Sequence, residues 1–355
     1  MFDFIPLPYY TLVFYNTILL LVLFVFFKLF TKSYHIYNHA SLFLLLASIL
    51  YIGLRPVSVK YFGDMEAYNI RFISYAKGSA IDLNKDLYWL KFMKFLSGFI
   101  SSTTFFVVCA ALYILTLYKS CKKWFGNNMY IPFLMHIASF SFWSYGTNGI
   151  RNGIATSLFI YALSREKKLV KYFVFFLAFS VHGSIALPIF AFILTTLYNQ
   201  TKYFLLAWLA AIPLSIGLGS FWESFFMALG YGGERLSYLT DDRFSHQFAS
   251  TEFRWDFLIY SAFAVFVGSY FIIKKNYQDK HYHQIFNIYL AANAFWILII
   301  RTSFSNRFAY LSWFLMAVVI FYPFFKQQFF KNQRKILACI VLGYFGFSYL
   351  MFLIK

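Results

Sequence analysis

Twelve apolar runs occupy most of this 355-residue sequence, at 9–30, 38–54, 95–118, 129–147, 149–164, 168–181, 184–199, 202–220, 254–273, 284–300, 305–325 and 336–354. A helix that crosses a bilayer needs about 20 such residues, and fewer where its ends are buried in protein. The runs therefore predict an all-α fold, a polytopic transmembrane helix bundle of about 10–12 spans. Those between 149 and 199 are short, and two of them are compatible with one broken or re-entrant unit. Composition agrees. Hydrophobic residues make up 61% of the chain and charged residues only 12%, against about 25% charged in a soluble domain. A water-soluble fold of this size has too little polar coating to hide that surface.

The first run, Tyr9 to Phe30, is too long for a signal-peptide core and reaches Lys28 and Lys32 without a small-residue cleavage site, so it reads as a first membrane helix. The chain shows no internal repeat, and residues 1–355 read as one membrane-embedded domain with two long polar segments, 55–94 and 221–253. Three cysteines, Cys109, Cys121 and Cys339, form no CxxC or Cys/His pattern, which argues against a disulfide framework or a structural zinc.

A formal charge of +18 invites a nucleic-acid reading. Its distribution argues for topology instead. With the N-terminus outside, the short inner loops hold 17 cations and two acids, Glu166 and Asp279, which leaves one face near +15 and the other near +3. Such a bias in short loops is what orients a membrane protein. Both long polar segments then fall on the outer face, together with Arg151, His182, Arg301 and Arg307. The inner cations are mostly Lys, a hydrated point charge, whereas the outer ones include Arg, whose planar fork suits phosphate or carboxylate. On this reading His281 and His283, beside Lys280, are solvated on the inner face.

Five segments carry chemistry-bearing residues. In 61–72, Asp64, Tyr68 and Arg71 share a helical face by their i, i+4, i+7 spacing. A carboxylate there suits a general base or a sugar ligand, the tyrosine a stacking surface and the arginine an anion; an interfacial helix with an Asp–Arg pair fits the same spacing. In 143–163, Gly146, Asn148 and Gly149 break one helix and Arg151 opens the next, with no acid close in sequence. A helix N-terminus and a guanidinium both favour an anion, while a snorkelling arginine is the structural alternative.

His182 interrupts the apolar run 179–188, where a proton donor and a satisfied interhelical hydrogen-bonder are both compatible with it. In 300–310, Arg301, Asn306, Arg307 and Tyr310 lie without an acid, which points either to an anion from elsewhere or to an aromatic-and-arginine interfacial belt. The segment 221–253, extended to Arg254, has mixed charge that singles out no residue. GxGxxG, P-loop, HExxH and GxSxG motifs are absent, and Asp241–Asp242 resembles a metal–nucleotide DxD only loosely.

In this order and context the segments resemble the EpsG family of bacterial exopolysaccharide and O-antigen polymerases, the Wzy-type enzymes. The resemblance rests on Asp64 with Tyr68, on Asn148-Gly149-Ile150-Arg151-Asn152-Gly153-Ile154-Ala155, on Phe179-Ser180-Val181-His182-Gly183-Ser184 and on Arg307 with Tyr310. It implies a GT-C-like membrane glycosyltransferase. Such an enzyme moves a glycan from undecaprenyl diphosphate to the non-reducing sugar of a lipid-linked repeat unit, at the outer leaflet of the inner membrane. It needs no nucleotide, metal or other cofactor.

The partners implied are the lipid-linked oligosaccharide and membrane lipid, with a chain-length regulator protein as a further partner that the resemblance admits and no nucleic acid. Asp64 and His182 become the catalytic candidates. Arg151, Arg301, Arg307, Tyr68, Arg71, Tyr310 and Asn148 become the substrate-binding ones. A membrane O-acyltransferase acting on polysaccharide and a transporter or flippase of lipid-linked glycan are the competing classes; the first needs inner-face polar residues and the second pseudo-symmetric halves.

Overall fold

The computed structural model describes residues 4–31, 38–82, 86–228, 253–302 and 305–354. Helix accounts for 83% and no strand occurs among the described residues. Among the described residues six helices are long and apolar enough to cross a membrane: Leu7–Phe30, Ser102–Asn128, Thr201–Trp222, Trp255–Lys274, Ser305–Lys326 and Gln333–Ile354, with His39–Gly53 and Gly183–Leu197 as shorter apolar helices. The protein is a polytopic membrane helix bundle. It divides into two compact units, Met1–Ile185 with Phe324–Lys355 and Ala186–Pro323.

The first unit opens with α1 (Leu7–Phe30) and α2 (Asn38–Gly53). The polar segment that follows is helical, not an extended loop: α3 (Val59–Phe62), α4 (Met65–Ala76) and α5 (Leu87–Ser97). Next come α6 (Ser102–Phe125), the short α7 (Tyr130–Ile137) and α8 (Phe140–Thr147), then α9 (Ile150–Leu163) and α10 (Lys168–Val181). Apolar residues start at 95, but α6 starts at 102 because the Ser101 hydroxyl accepts the Thr104 N–H at 3.2 Å and caps it there. The run 129–147 divides in two at Ser139, whose backbone is extended and whose hydroxyl donates to the His136 carbonyl at 2.8 Å. Such short helices survive because their flanks are buried in protein.

Close helix approach organises this unit. A Cβ on Gly53 would lie 2.7 Å from the Val107 backbone, so α2 and α6 touch there. A Cβ on Gly153 would lie 2.8 Å from the Tyr145 carbonyl oxygen, which lets α9 turn back against α8. These small residues do in a membrane what bulk apolar contact does in water: they let helix backbones pack.

The second unit contains α11 (Ala186–Leu197), α12 (Thr201–Ala228), α13 (Trp255–Ser269) with a π-helical turn at Tyr270–Lys274, α14 (Lys280–Leu298), α15 (Ser305–Trp313) and the start of α16 (Met316–Lys326). In the first unit, α17 (Gln333–Ile354) packs on α1, with Tyr15 stacked on Phe352 at 4.4 Å and Tyr349 donating to Asn16 at 2.8 Å.

A buried polar network centred on Asn293 locks the second unit. Its oxygen accepts the Trp208 indole N–H at 2.7 Å, and its amide donates to Ser261 and Ser312 at 3.2 and 2.9 Å. Every polar side-chain atom of Asn293 is thereby satisfied in an apolar surround. His283, expected to be solvated, is instead half-buried: its ring is 3.1 Å from the Thr201 hydroxyl and 2.8 Å from the Tyr277 carbonyl.

Candidate functional site

Gly63 ends α3 with φ +55°, a conformation that a glycine tolerates at little cost, and turns the chain into α4. At that turn the Asp64 N–H donates to Asn148 Oδ1 at 2.9 Å. Asn148 lies in the break between α8 and α9, so one hydrogen bond pins the polar segment to the place where Arg151 emerges. Asp64 itself is exposed. One turn on, the Tyr68 N–H donates to the Asp64 carbonyl at 3.1 Å, which sets Asp64 and Tyr68 on one face as their spacing predicts.

Tyr68 and Arg151 meet. The arginine Nε donates to the tyrosine hydroxyl at 3.1 Å, and its Nη1 pairs with the Asp86 carboxylate. Asp86 was not among the residues singled out by sequence; it stands 65 positions before an arginine that has no acid in its own segment. The pair keeps contact with solvent, with Asp86 37% and Arg151 20% exposed in their side chains. An ion pair of that kind contributes about 1 kcal/mol or less. It is exchangeable.

Burial, the largest influence, raises the Tyr68 hydroxyl above its ordinary pKa despite the opposing pull of Arg151. The group stays protonated, so it accepts from Arg151 and retains a hydrogen to donate. Its ring sits edge-on to Trp89 at 6.2 Å. Arg71 is exposed, and its side chain makes no hydrogen bond or ion pair among the described residues.

His182 stands at the end of α10 with extended backbone, and the Ser184 N–H donates to its Nδ1 at 3.1 Å. Nδ1 is therefore an acceptor, and a neutral ring carries its proton on Nε2. The Ser184 hydroxyl lies 2.8 Å from Nδ1 and donates to Asn152 Oδ1 at 3.0 Å. Asn152 is the neighbour of Arg151 on α9, so the histidine is tied to the same helix start as the arginine. Asp64, Tyr68, Asp86, Asn148, Arg151 and His182 thus collect about one helix break in the first unit.

Arg55 supports that break from below. It is 3% exposed, donates to the Ile52 carbonyl and to the Thr147 carbonyl, the latter at 2.9 Å, and lies 5.6 Å from the ring centres of both Phe62 and Phe106. No sequence pattern marks it, because its partners are main-chain oxygens.

The remaining candidates belong to the second unit. Arg301 is half-buried, 6.0 Å from the Phe253 ring centre and against Gly219. Arg307 is half-buried on α15. Tyr310 is 4% exposed and packs at 5.7 Å on Trp313, within the core. Arg254 grips Asp256 with two hydrogen bonds of 2.9 and 2.6 Å, which satisfies it locally. Glu234, Arg235, Asp241, Asp242, Arg243, His246 and Glu252, and the side chain of Glu223, lie outside the described residues. Among the described residues no three His, Cys, Asp or Glu side chains converge as metal ligands would.

The sequence profile of the EpsG family matches residues 42–355, which takes in every element of the site just described. The chain belongs to the EpsG family. Among curated proteins and solved structures, none matches it. Membership gives this EpsG-family protein a polysaccharide polymerase-like function in a membrane, with lipid-linked glycan as the substrate class. Within the EpsG-family match, Asn148, Arg151 and His182 fall in the segments that carried the resemblance, and the fold joins them to Asp64 and Tyr68.

Proposed function

We propose that this EpsG-family protein is a glycosyltransferase of the bacterial inner membrane, an O-antigen or exopolysaccharide polymerase. It transfers a glycan from undecaprenyl diphosphate to the non-reducing sugar of a lipid-linked repeat unit at the outer leaflet. The observation that carries this reading is the Arg151 guanidinium, held half-buried by Tyr68 at the start of α9. As the glycosidic bond breaks, charge grows on the diphosphate. A guanidinium already oriented stabilises that charge without reorganising.

Asn148 holds the turn that carries Asp64, and His182, with Nε2 protonated, is a donor towards a phosphate or glycosidic oxygen. Arg301 and Arg307 are proposed anion ligands of the second unit, and Arg71 a peripheral one. Tyr310, buried against Trp313, is assigned to packing.

The test is the glycan profile of cells carrying Arg151→Ala. Loss of one preorganised donor costs about 100- to 1,000-fold in turnover, so membrane-inserted mutant protein should leave single repeat units in place of long chains. Long-chain polysaccharide at normal levels would overturn the assignment.

A further inference from the structure

Asp86 stands at the N-cap of α5, the position where an aspartate ordinarily accepts a hydrogen bond from its own helix. It does not do so here. Its side chain makes no capping bond, its backbone is left-handed at φ +42°, and its carboxylate reaches Arg151 instead. A non-glycine residue in that conformation costs energy that its surroundings must hold in place. The carboxylate is also solvent-accessible, and it shares its arginine with Tyr68.

The two contacts to Arg151 engage two of the five N–H donors of a guanidinium. An incoming anion therefore finds donors on the same fork, and a doubly charged one competes with Asp86 for them. Asp86 is tethered at the start of α5, so a carboxylate displaced from Arg151 stays within a side chain's reach of the anion that replaces it. A general base has to be within hydrogen-bond reach of the proton that it takes. Asp64, by contrast, is attached to the site through its backbone N–H, with its side chain exposed.

Building on the transfer reaction above, we propose that Asp86 is the proton acceptor of this site. In the substrate-free protein it occupies the anion position on Arg151. When the diphosphate takes over the guanidinium, the freed carboxylate accepts the proton of the acceptor sugar's hydroxyl. That oxygen then bonds to the anomeric carbon, the bond from that carbon to the diphosphate oxygen breaks, and the lipid diphosphate leaves as an anion. The proton is held on Asp86 and passes to water.

The test uses full-length protein in lipid nanodiscs, with undecaprenyl diphosphate as the binding probe and purified lipid-linked repeat units for turnover. Asp86→Asn is the informative change, because asparagine also tolerates both an N-cap and a left-handed backbone. The variant should bind the probe as tightly as the parent or more tightly, since a competing charge is gone. Its kcat should fall about 100- to 10,000-fold, the range of general-base catalysis, and Asp86→Glu should recover part of it.

Turnover of Asp86→Asn within threefold of the parent would overturn the proposal. So would a loss of probe binding as deep as that of Arg151→Ala, which would make Asp86 a mere support for the arginine. If Arg151→Ala itself leaves probe binding and turnover intact, the transfer-site reading fails separately, whatever Asp86→Asn does.

Discussion

Asn148 Oδ1 accepts the backbone N–H of Asp64 at 2.9 Å, joining the first polar segment to the helix break 84 residues later. Gly63 makes room for that bond: a Cβ there would lie 2.5 Å from Asn148 Oδ1. The polar segment and the arginine helix are thus joined at a turn whose residue, Gly63, has no side chain.

Gly63→Ala should therefore disturb the site from a distance. The substitution forces a side chain onto a sparsely populated positive-φ backbone, at a cost of about 1–3 kcal/mol, and pushes Asn148 off Asp64. Polymer output should drop more than tenfold with protein still inserted. Asn148→Ala should act through the same bond, so the double variant should lose less than the two single losses combined. Additive losses would show that the two residues work independently.

Tyr68→Phe removes one hydroxyl and keeps the ring against Trp89. A hydrogen bond to a charged group is worth about 1.5–3 kcal/mol, and partial exposure of Arg151 puts this one at the low end. Turnover assays should show kcat/KM reduced about tenfold. Tyr68→Ala should be worse, because the ring contact at 6.2 Å goes too. Parent-like kcat/KM in Tyr68→Phe would remove the tyrosine from the site.

Arg55→Lys tests the support beneath the break. A lysine has no planar fork to serve the Ile52 and Thr147 carbonyls together, and a buried acceptor left unmade costs about 1–3 kcal/mol. Thermal unfolding of the purified protein in detergent should move down accordingly. An unchanged transition would mean that the break stands without the arginine.

Asp279, in the second unit, gives a pH signature of its own. Its carboxylate accepts the His281 and Tyr282 N–H groups at 2.8 and 3.1 Å, and the Tyr277 and Tyr322 hydroxyls at 3.1 and 3.2 Å. Partial burial, the largest single influence, pushes its pKa up, but the hydrogen bonds together outweigh it and hold the group below its ordinary value. A depressed carboxylate stabilises the fold above its unfolded pKa of about 3.9, and that contribution disappears as pH falls through the lower folded value. Asp279→Ala should cost about 1 kcal/mol at neutral pH, as lost N-caps do. The gap from the parent in unfolding temperature should close as the pH drops below about 4. A gap that is constant with pH would contradict the charge-based account.

Some of the site was legible because its signals are local. Gly149 followed by Arg151 announces a helix break and a new start, and the spacing of Asp64 and Tyr68 announces a shared face. Asp86 was not legible, since an acid between Lys85 and an aromatic run looks like any loop charge. Arg55 was hidden for the opposite reason: its partners are carbonyls, and every residue has one.

Sequence alone determined that this chain lies in a membrane as helices and belongs with the EpsG family, because apolar length and short ordered motifs survive without knowledge of packing. Only the tertiary structure decided which distant groups meet. Arg151 with Asp86, and Asn148 with Asp64, are pairs separated by 65 and 84 positions, and no periodicity reaches across such distances. Helix packing brings them together, through close approaches at residues such as Gly53 and Gly153 that have no side chain to advertise them.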